Sequence, residues 1–275
     1  LYKNNLRSRC VLKILPRCRT MTDEAVVKKV WDNYGTNDPY FGVMSNPEFH
    51  ANTLSDNASK FWLAGQHDAD RLKRLYEEYH THAEGKEKIR VLDYGCGVGR
   101  LMKGWGNGVE GCDISPAYLA EARKNLGEEA VLHLIEPGDC PKGFDVIYSL
   151  IVLQHNRPSL MKKCMRSIVE ALNPKGLAMI HAPYFIPRVQ HSDEIMEMNY
   201  VPKDEMQKEI EAVGGVVLAY DESWDGCGGD IKNLIYIIYK SDKGSSVYKR
   251  LLNHQPRDFF AEMKNMPVVQ DFLEK

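Results

Sequence analysis

Basic charge is not in excess in this chain: 36 Lys and Arg stand against 38 Asp and Glu, a net charge of −2. No global attraction to nucleic acid or to an anionic membrane follows from that balance. Long apolar runs are missing as well. The longest, Val146 to Leu153, is interrupted by Tyr148 and Ser149 and is too short to span a bilayer. The seven cysteines (Cys10, Cys18, Cys96, Cys112, Cys140, Cys164 and Cys227) include no C-x-x-C pair, so zinc and thioredoxin-like readings have no support. Their odd number and scatter point to a reducing, cytoplasmic compartment. No internal repeat is visible.

What is present is a chain of 275 residues with 43% hydrophobic content, enough for one sizeable core. Residues 1–20 carry Lys3, Arg7, Arg9, Lys13, Arg17 and Arg19 and no acid. Two readings stay open for them: a transit-like or unstructured leader, or sequence upstream of a start at Met21. The second is the expectation, and the segment is left out of the fold reading. Residues 21–85 read as a helical cap. Thr22 to Tyr34 is a helix with Ala25, Val26, Val27, Val30 and Trp31 on its apolar face. Gly35 to Pro47 is turn-rich and aromatic. Ser55 to His80 is a longer amphipathic helix, bent or broken near Gly65, with Phe61, Trp62, Leu63, Leu72, Leu75 and Tyr76 buried.

The period then changes. Ile89–Asp93, Val109–Asp113, Val131–Ile135, Phe144–Leu150, Leu177–Ala182, Val216–Asp221 and Leu234–Lys240 read as strands. Helices are expected over Ser115–Asn125, capped by Ser115 and Pro116, over Pro158–Leu172, stopped by Asn173, Pro174 and Gly176, and over Lys203–Val213. This alternation over residues 86–241 predicts a Rossmann-like, doubly wound α/β fold with a mostly parallel sheet. Residues 242–275 form a polar extension with one helix expected near Phe259 to Met263.

Chemistry concentrates in residues 91–113. Val91-Leu92-Asp93-Tyr94-Gly95-Cys96-Gly97-Val98-Gly99-Arg100 places glycines directly after a strand, where they allow a sharp turn and close approach of a ligand. The spacing is G-x-G-x-G, not the G-x-G-x-x-G of dinucleotide binders. Asp93 ends the first strand and Asp113 the second; an acid at the latter position is able to accept hydrogen bonds from two vicinal ribose hydroxyls. The competing structural readings are that Asp93 caps the glycine turn and Asp113 caps the next helix. Asp145, at a strand start, reads as structural.

The segment Val91 to Leu101, Cys112-Asp113-Ile114-Ser115-Pro116 and Phe144-Asp145-Val146-Ile147-Tyr148-Ser149 resemble the class I S-adenosylmethionine-dependent methyltransferases over about residues 88–240. The stretch Tyr148 to Pro158, with Met196-Glu197-Met198 and Asp38-Pro39-Tyr40, resembles a bacterial-type group of that family with undefined substrate. The resemblance implies a seven-stranded sheet with the last strand antiparallel and S-adenosylmethionine as cofactor. Gly95 and Gly97 would pass the methionine part of the cofactor and Asp93 would orient its amino group. Asp113 would hold the ribose, Ile114 would pack on the adenine, and Asp139 would meet the adenine amino group. Ser149 and Leu150 would line the site.

Methyl transfer from a sulfonium is an in-line displacement, so the protein supplies position and electrostatics, and a base only where the acceptor carries a proton. Candidates follow the fourth and fifth strands: Gln154, His155, Asn156, His181, Tyr184 and Glu197. His155 is the expected base or acceptor-orienting group, with helix capping as its structural alternative. Glu197 is the expected contact to a polar acceptor, with a solvated loop acid as its alternative. Trp31 is expected in a hydrophobic seam; Tyr34 and Tyr40, beside turn residues, are expected to cover the cofactor. Trp224 and Asp225 either close over the acceptor or end a hairpin.

No Ser-Tyr-x-x-x-Lys pattern supports a dehydrogenase. Leu153-Gln154-His155-Asn156 stands where nucleic-acid base methyltransferases carry Asn/Asp-Pro-Pro-Tyr. The expected partner is a small-molecule acceptor, with no nucleic acid, no membrane and no metal. The alternative from another class is a non-catalytic subunit that binds the cofactor and activates a partner.

Overall fold

The computed structural model describes residues 23–79, 89–187, 198–223, 230–241 and 257–258. Three helices precede the first strand: α1 (Asp23–Asn37), α2 (Pro39–Val43) and α3 (Leu54–Tyr79). Then follow β1 (Val91–Tyr94), α4 (Arg100–Trp105), β2 (Val109–Asp113), α5 (Pro116–Leu126), β3 (Leu132–Leu134) and β4 (Phe144–Ser149). The chain continues through a short 3-10 turn, Leu153–His155, into α6 (Pro158–Ala171), β5 (Leu172–Phe185), α7 (Lys203–Ala212), β6 (Gly215–Asp221), β7 (Lys232–Lys240) and β8 (Arg257–Asp258).

The sheet runs in the order β3-β2-β1-β4-β5-β7-β6-β8. Strands β2 and β4 flank β1, both parallel to it. Strand β7 is antiparallel to both β5 and β6, as the family resemblance implies. An eighth strand, unforeseen in the polar tail, sets Arg257 and Asp258 beside Ala219 and Tyr220; two polar residues carry no strand signal. Every residue of β1 and of β4 is buried, which reflects helices on both faces. One face packs Leu92, Ile147, Met161, Ile168 and Tyr236. The other packs Leu72, Met102, Tyr148, Met179 and Ile237. Strand order reverses between β1 and β4, so a crevice opens at their carboxyl ends. Among the described residues, no helix is long and apolar enough to cross a membrane.

The N-terminal helices depart most from expectation. Helix α1 runs through Gly35 to Asn37, and Pro39 at once begins α2, in the region read as turns. Gly35 stays helical because it passes close over α5: a Cβ there would stand 2.9 Å from the Tyr118 amide nitrogen. Helix α3 is uninterrupted at Gly65. That glycine is a contact rather than a hinge, since a Cβ would meet Arg100 Cγ at 2.6 Å and its carbonyl oxygen at 2.9 Å. Gly104 answers it from α4, where a Cβ would stand 2.8 Å from the Gly65 carbonyl oxygen. Leu63, expected inside, is 55% exposed because it falls on the outer side of this helix pair. Helix α6 ends at Ala171 and β5 starts without a loop.

Close backbone approach at Gly65 outweighs the gain in helix propensity that a side chain would bring. Gly65→Val is therefore expected to lower the unfolding free energy by about 2 kcal/mol through overpacking, measured by urea denaturation.

Candidate functional site

The site is built on the turn that follows β1. Gly95 and Gly97 hold φ values of +77° and +52°, where side chains are strained. Space is short as well: a Cβ on Gly95 would stand 2.5 Å from Val152 Cγ2. The amides of Gly95 and Cys96 both donate to the Cys112 carbonyl, at 2.8 and 2.9 Å, which fastens the turn to the end of β2. Asp113 completes the fastening. Its Oδ2 accepts from the Gly97 amide at 3.0 Å and its Oδ1 from the Ser115 amide at 2.9 Å. Ser115 itself caps α5 by accepting from the Tyr118 amide, so the capping reading of Asp113 is replaced by a bridge between loop and helix start. Burial raises the Asp113 carboxyl to about 6, against the lowering effect of the backbone N–H groups of Ser115, Gly97 and Ile114.

Above this turn lies a cleft enclosing about 730 Å³ of empty space, part of it open solvent. Gly95, Gly97 and Tyr94 form its floor. Asp113 and Ile114 stand at one end with Ile135, Pro137 and Gly138; Leu150, Ile151, Val152 and Asn156 stand at the other. Val27 and Trp31 of α1, with Gly42 and Val43 of α2, roof it. The roof is tied down where Asp32 Oδ1 accepts from Ser115 Oγ at 3.0 Å, and where Lys28 Nζ meets Glu136 Oε1 at 2.5 Å.

Of the residues singled out in the sequence, Gly95, Gly97, Asp113, Ile114 and Leu150 line this cleft together. Asp93 is 1% exposed and does not line it. Its Oδ2 has no hydrogen-bond partner among the described residues. Burial raises its carboxyl to about 8, opposed by the Arg100 guanidinium and reinforced by Asp113. Ser149 is fully buried and its hydroxyl donates to the Tyr94 carbonyl at 2.8 Å, which binds β4 to β1. Asp139 is exposed in a turn closed by its amide on the Glu136 carbonyl, and the preceding Pro137 and Gly138 reach the cleft instead. Tyr34 packs against Trp31 and Phe41. The Tyr40 hydroxyl bonds Asn125 Oδ1 at 3.0 Å and Glu121 Oε1 at 3.1 Å. Neither tyrosine lines the cleft, whereas Trp31 does.

His155 does not line the cleft, though its neighbour Asn156 does; it meets the Trp31 ring edge-on, with centroids 5.1 Å apart. Asp145 accepts from the Arg90 amide and from Asn173 Nδ2, the structural role read from the sequence. Glu197, Trp224 and Asp225 lie outside the described residues, as do residues 1–20 and the helix expected near Phe259. Among the described residues, no group of three or more His, Cys, Asp or Glu is arranged to hold a metal ion. Cleft residues that sequence reasoning missed, such as Val43 and Ile151, are apolar and carry no local signal.

The raised Asp93 carboxyl has a consequence for stability. Its folded value, about 8, lies far above the value of about 3.9 for an unfolded chain. Between these two the unfolded state has released the proton and the folded state keeps it, so stability falls as pH rises through that window. Asp93→Asn is expected to remove this dependence and to be more stable than the parent at pH 8, by about 1–3 kcal/mol, measured by thermal unfolding across pH.

Known proteins share this fold. A family model described as a methyltransferase domain matches residues 66–208, just over half of the chain. No curated protein matches the chain. Among solved structures, the magnesium protoporphyrin IX methyltransferase ChlM from Synechocystis PCC 6803, crystallised with bound SAM, superposes with a TM-score of 0.57 at 15% identity. That match covers 82% of this chain and 100% of the other. DesVI of Streptomyces venezuelae matches at a TM-score of 0.52 and 17% identity, over 68% of this chain and 98% of its own. The [4+2]-cyclase SpnF matches at 0.53 and 13%, over 78% and 96%. At these identities the likeness shows a shared fold; with the glycine turn, its bridging acid and the matched family model, the chain belongs to the methyltransferase domain family.

Proposed function

We propose that this chain is an S-adenosylmethionine-dependent methyltransferase acting on a small-molecule acceptor. The observation that carries the reading is the Asp113 carboxylate on the cleft wall, pinned by two backbone amides beside the glycine turn. The carboxylate keeps acceptor capacity beyond these amides, which suits the ribose hydroxyls. Gly95 and Gly97 offer bare backbone to a ligand, and Asp93, buried off the cleft, orients the amino group of the methionine part through water. Ile114, Ile135 and Pro137 offer an apolar surface to the adenine. The bound cofactor supplies a methyl group on a sulfonium, ready for in-line displacement.

Within this reading, residues 86–241 carry the transfer domain and the helices of residues 21–85 roof it, with Trp31 and Val27 over the cleft. The partly enclosed cleft supports a small acceptor, as does the likeness of fold to a magnesium protoporphyrin IX methyltransferase crystallised with bound SAM. His155, against the ring of the cleft residue Trp31, takes the acceptor proton where there is one; Glu197 contacts a polar acceptor. Tyr34 and Tyr40 support the roof from behind, and Ser149 fixes the floor.

Calorimetry with S-adenosylmethionine and S-adenosylhomocysteine tests the reading, followed by methyl-release assays on small acceptors. Absence of binding to both would sink it; binding with no turnover on any acceptor would favour the non-catalytic subunit. Asp113→Ala is expected to weaken cofactor binding by about 2–3 kcal/mol, the worth of a hydrogen-bonded charged group. Unchanged affinity would refute the ribose contact. His155→Ala is expected to lose most turnover while cofactor affinity stays within about twofold, a split that marks loss of a transition-state contact.

A further inference from the structure

The cleft contains a backbone strain that the cofactor contacts do not explain. Ile151 holds φ +60°. For a β-branched residue this left-handed conformation is a true outlier, and such outliers persist only where neighbours over-determine them. The bend has a visible effect. It turns the chain sharply between β4 and the 3-10 turn, so that Leu150, Ile151 and Val152 all line the cleft in succession. It also presses Val152 against the bare Cα of Gly95. The two walls of the site therefore meet at this bend.

What holds the bend comes from β5 and β7. The Ile151 amide donates to His181 Nδ1 at 3.3 Å. Since Nδ1 accepts, the ring proton resides on Nε2, which faces Asn233 Oδ1 at 3.3 Å. Asn233 Nδ2 is in turn spent on the Ile231 carbonyl, so its oxygen is the atom presented to the ring. His181 is fully buried and Asn233 is 7% exposed. Burial keeps the imidazole neutral, with its pKa lowered to about 3. His181 does not line the cleft. It is a poor candidate for acid–base chemistry on an acceptor and well suited to hold a fixed tautomer.

We propose that His181 is a positioning residue: locked by Asn233 into the tautomer with a bare Nδ1, it holds Ile151 in left-handed backbone and thereby sets the wall that faces the cofactor across Gly95. This deepens the reading of the cleft as a cofactor site and rests on it. Loss of the bond releases the bend toward relaxed backbone, withdraws Val152 from Gly95 and loosens the cleft.

The test compares two buried polar replacements. Asn at this position carries its amide oxygen where Nδ1 stands; Gln carries it further out, toward Asn233. In His181→Gln, S-adenosylhomocysteine binding by calorimetry is expected to weaken about tenfold, the scale set by backbone strain of this kind, whereas His181→Asn retains it. A glycine adopts positive φ without cost, so adding Ile151→Gly to His181→Gln restores binding to the level of Ile151→Gly alone. A general packing role for His181 predicts no such rescue. A second readout needs no ligand. Exchange of the Ile151 amide, followed by NMR, is expected to be about tenfold faster in His181→Gln than in the parent and in His181→Asn, the loss of one hydrogen bond. Should His181→Gln not fold, Asn233→Leu removes the tautomer lock and carries the same expectations. Equal exchange in all forms, or equal ligand affinity without rescue, overturns the proposal. Failure of the parent protein itself to bind S-adenosylhomocysteine overturns the cofactor reading instead, with the exchange measurement still deciding whether His181 holds the bend.

Discussion

The Asp113 carboxylate takes the Gly97 amide on one oxygen and the Ser115 amide on the other. Through those two bonds it ties the glycine turn, the end of β2 and the start of α5 into one unit. Ser115 extends the unit to the roof, because its hydroxyl donates to Asp32 of α1. Floor, end wall and roof of the cleft thus converge on one buried carboxylate. The cost is desolvation, visible in the raised Asp113 and Asp93 carboxyls. Carboxyls buried in this way are costly to ionise in the apoprotein, and a ligand that brings donors and positive charge favours their ionised form.

The parts of this arrangement that were legible in the sequence are those decided locally. Alternating strands and helices gave the sheet, and the acids at the ends of β1 and β2 flanked the glycines in chain order. The cleft residues Gly95, Gly97, Asp113, Ile114 and Leu150 all fall within three residues of a strand end. Facing across elements was not legible. Trp31 and Tyr34 are three residues apart on one helix, and only the docking of α1 on α5 decides that the first reaches the cleft. Tyr40 was drawn away by Asn125 and Glu121, partners far along the chain. Gly65 reads as a helix breaker until Gly104 is seen opposite it. Ile151 is the extreme case: nothing about an isoleucine announces positive φ, which is imposed by a histidine thirty residues later.

The division of labour across the sheet follows from these contacts. Strands β1 and β2 supply the atoms that suit the cofactor. Strands β5 and β7 contribute a buried His–Asn pair on the other side, which works on the backbone after β4 rather than on a ligand. Such a site ties affinity for the cofactor to the shape of the wall beside it.

The roof bears on how the molecule assembles. Its bonds join residues far apart in the chain: Asp32 to Ser115 across 83 positions, Lys28 to Glu136 across 108, and Arg71 to Asp221 across 150. Helices α1 to α3 precede the sheet in the chain, yet the surfaces that receive them do not exist until the sheet has formed. Non-local contacts of this span carry a loop-closure cost before any reward. The cleft is therefore complete only once these helices have docked onto the formed sheet.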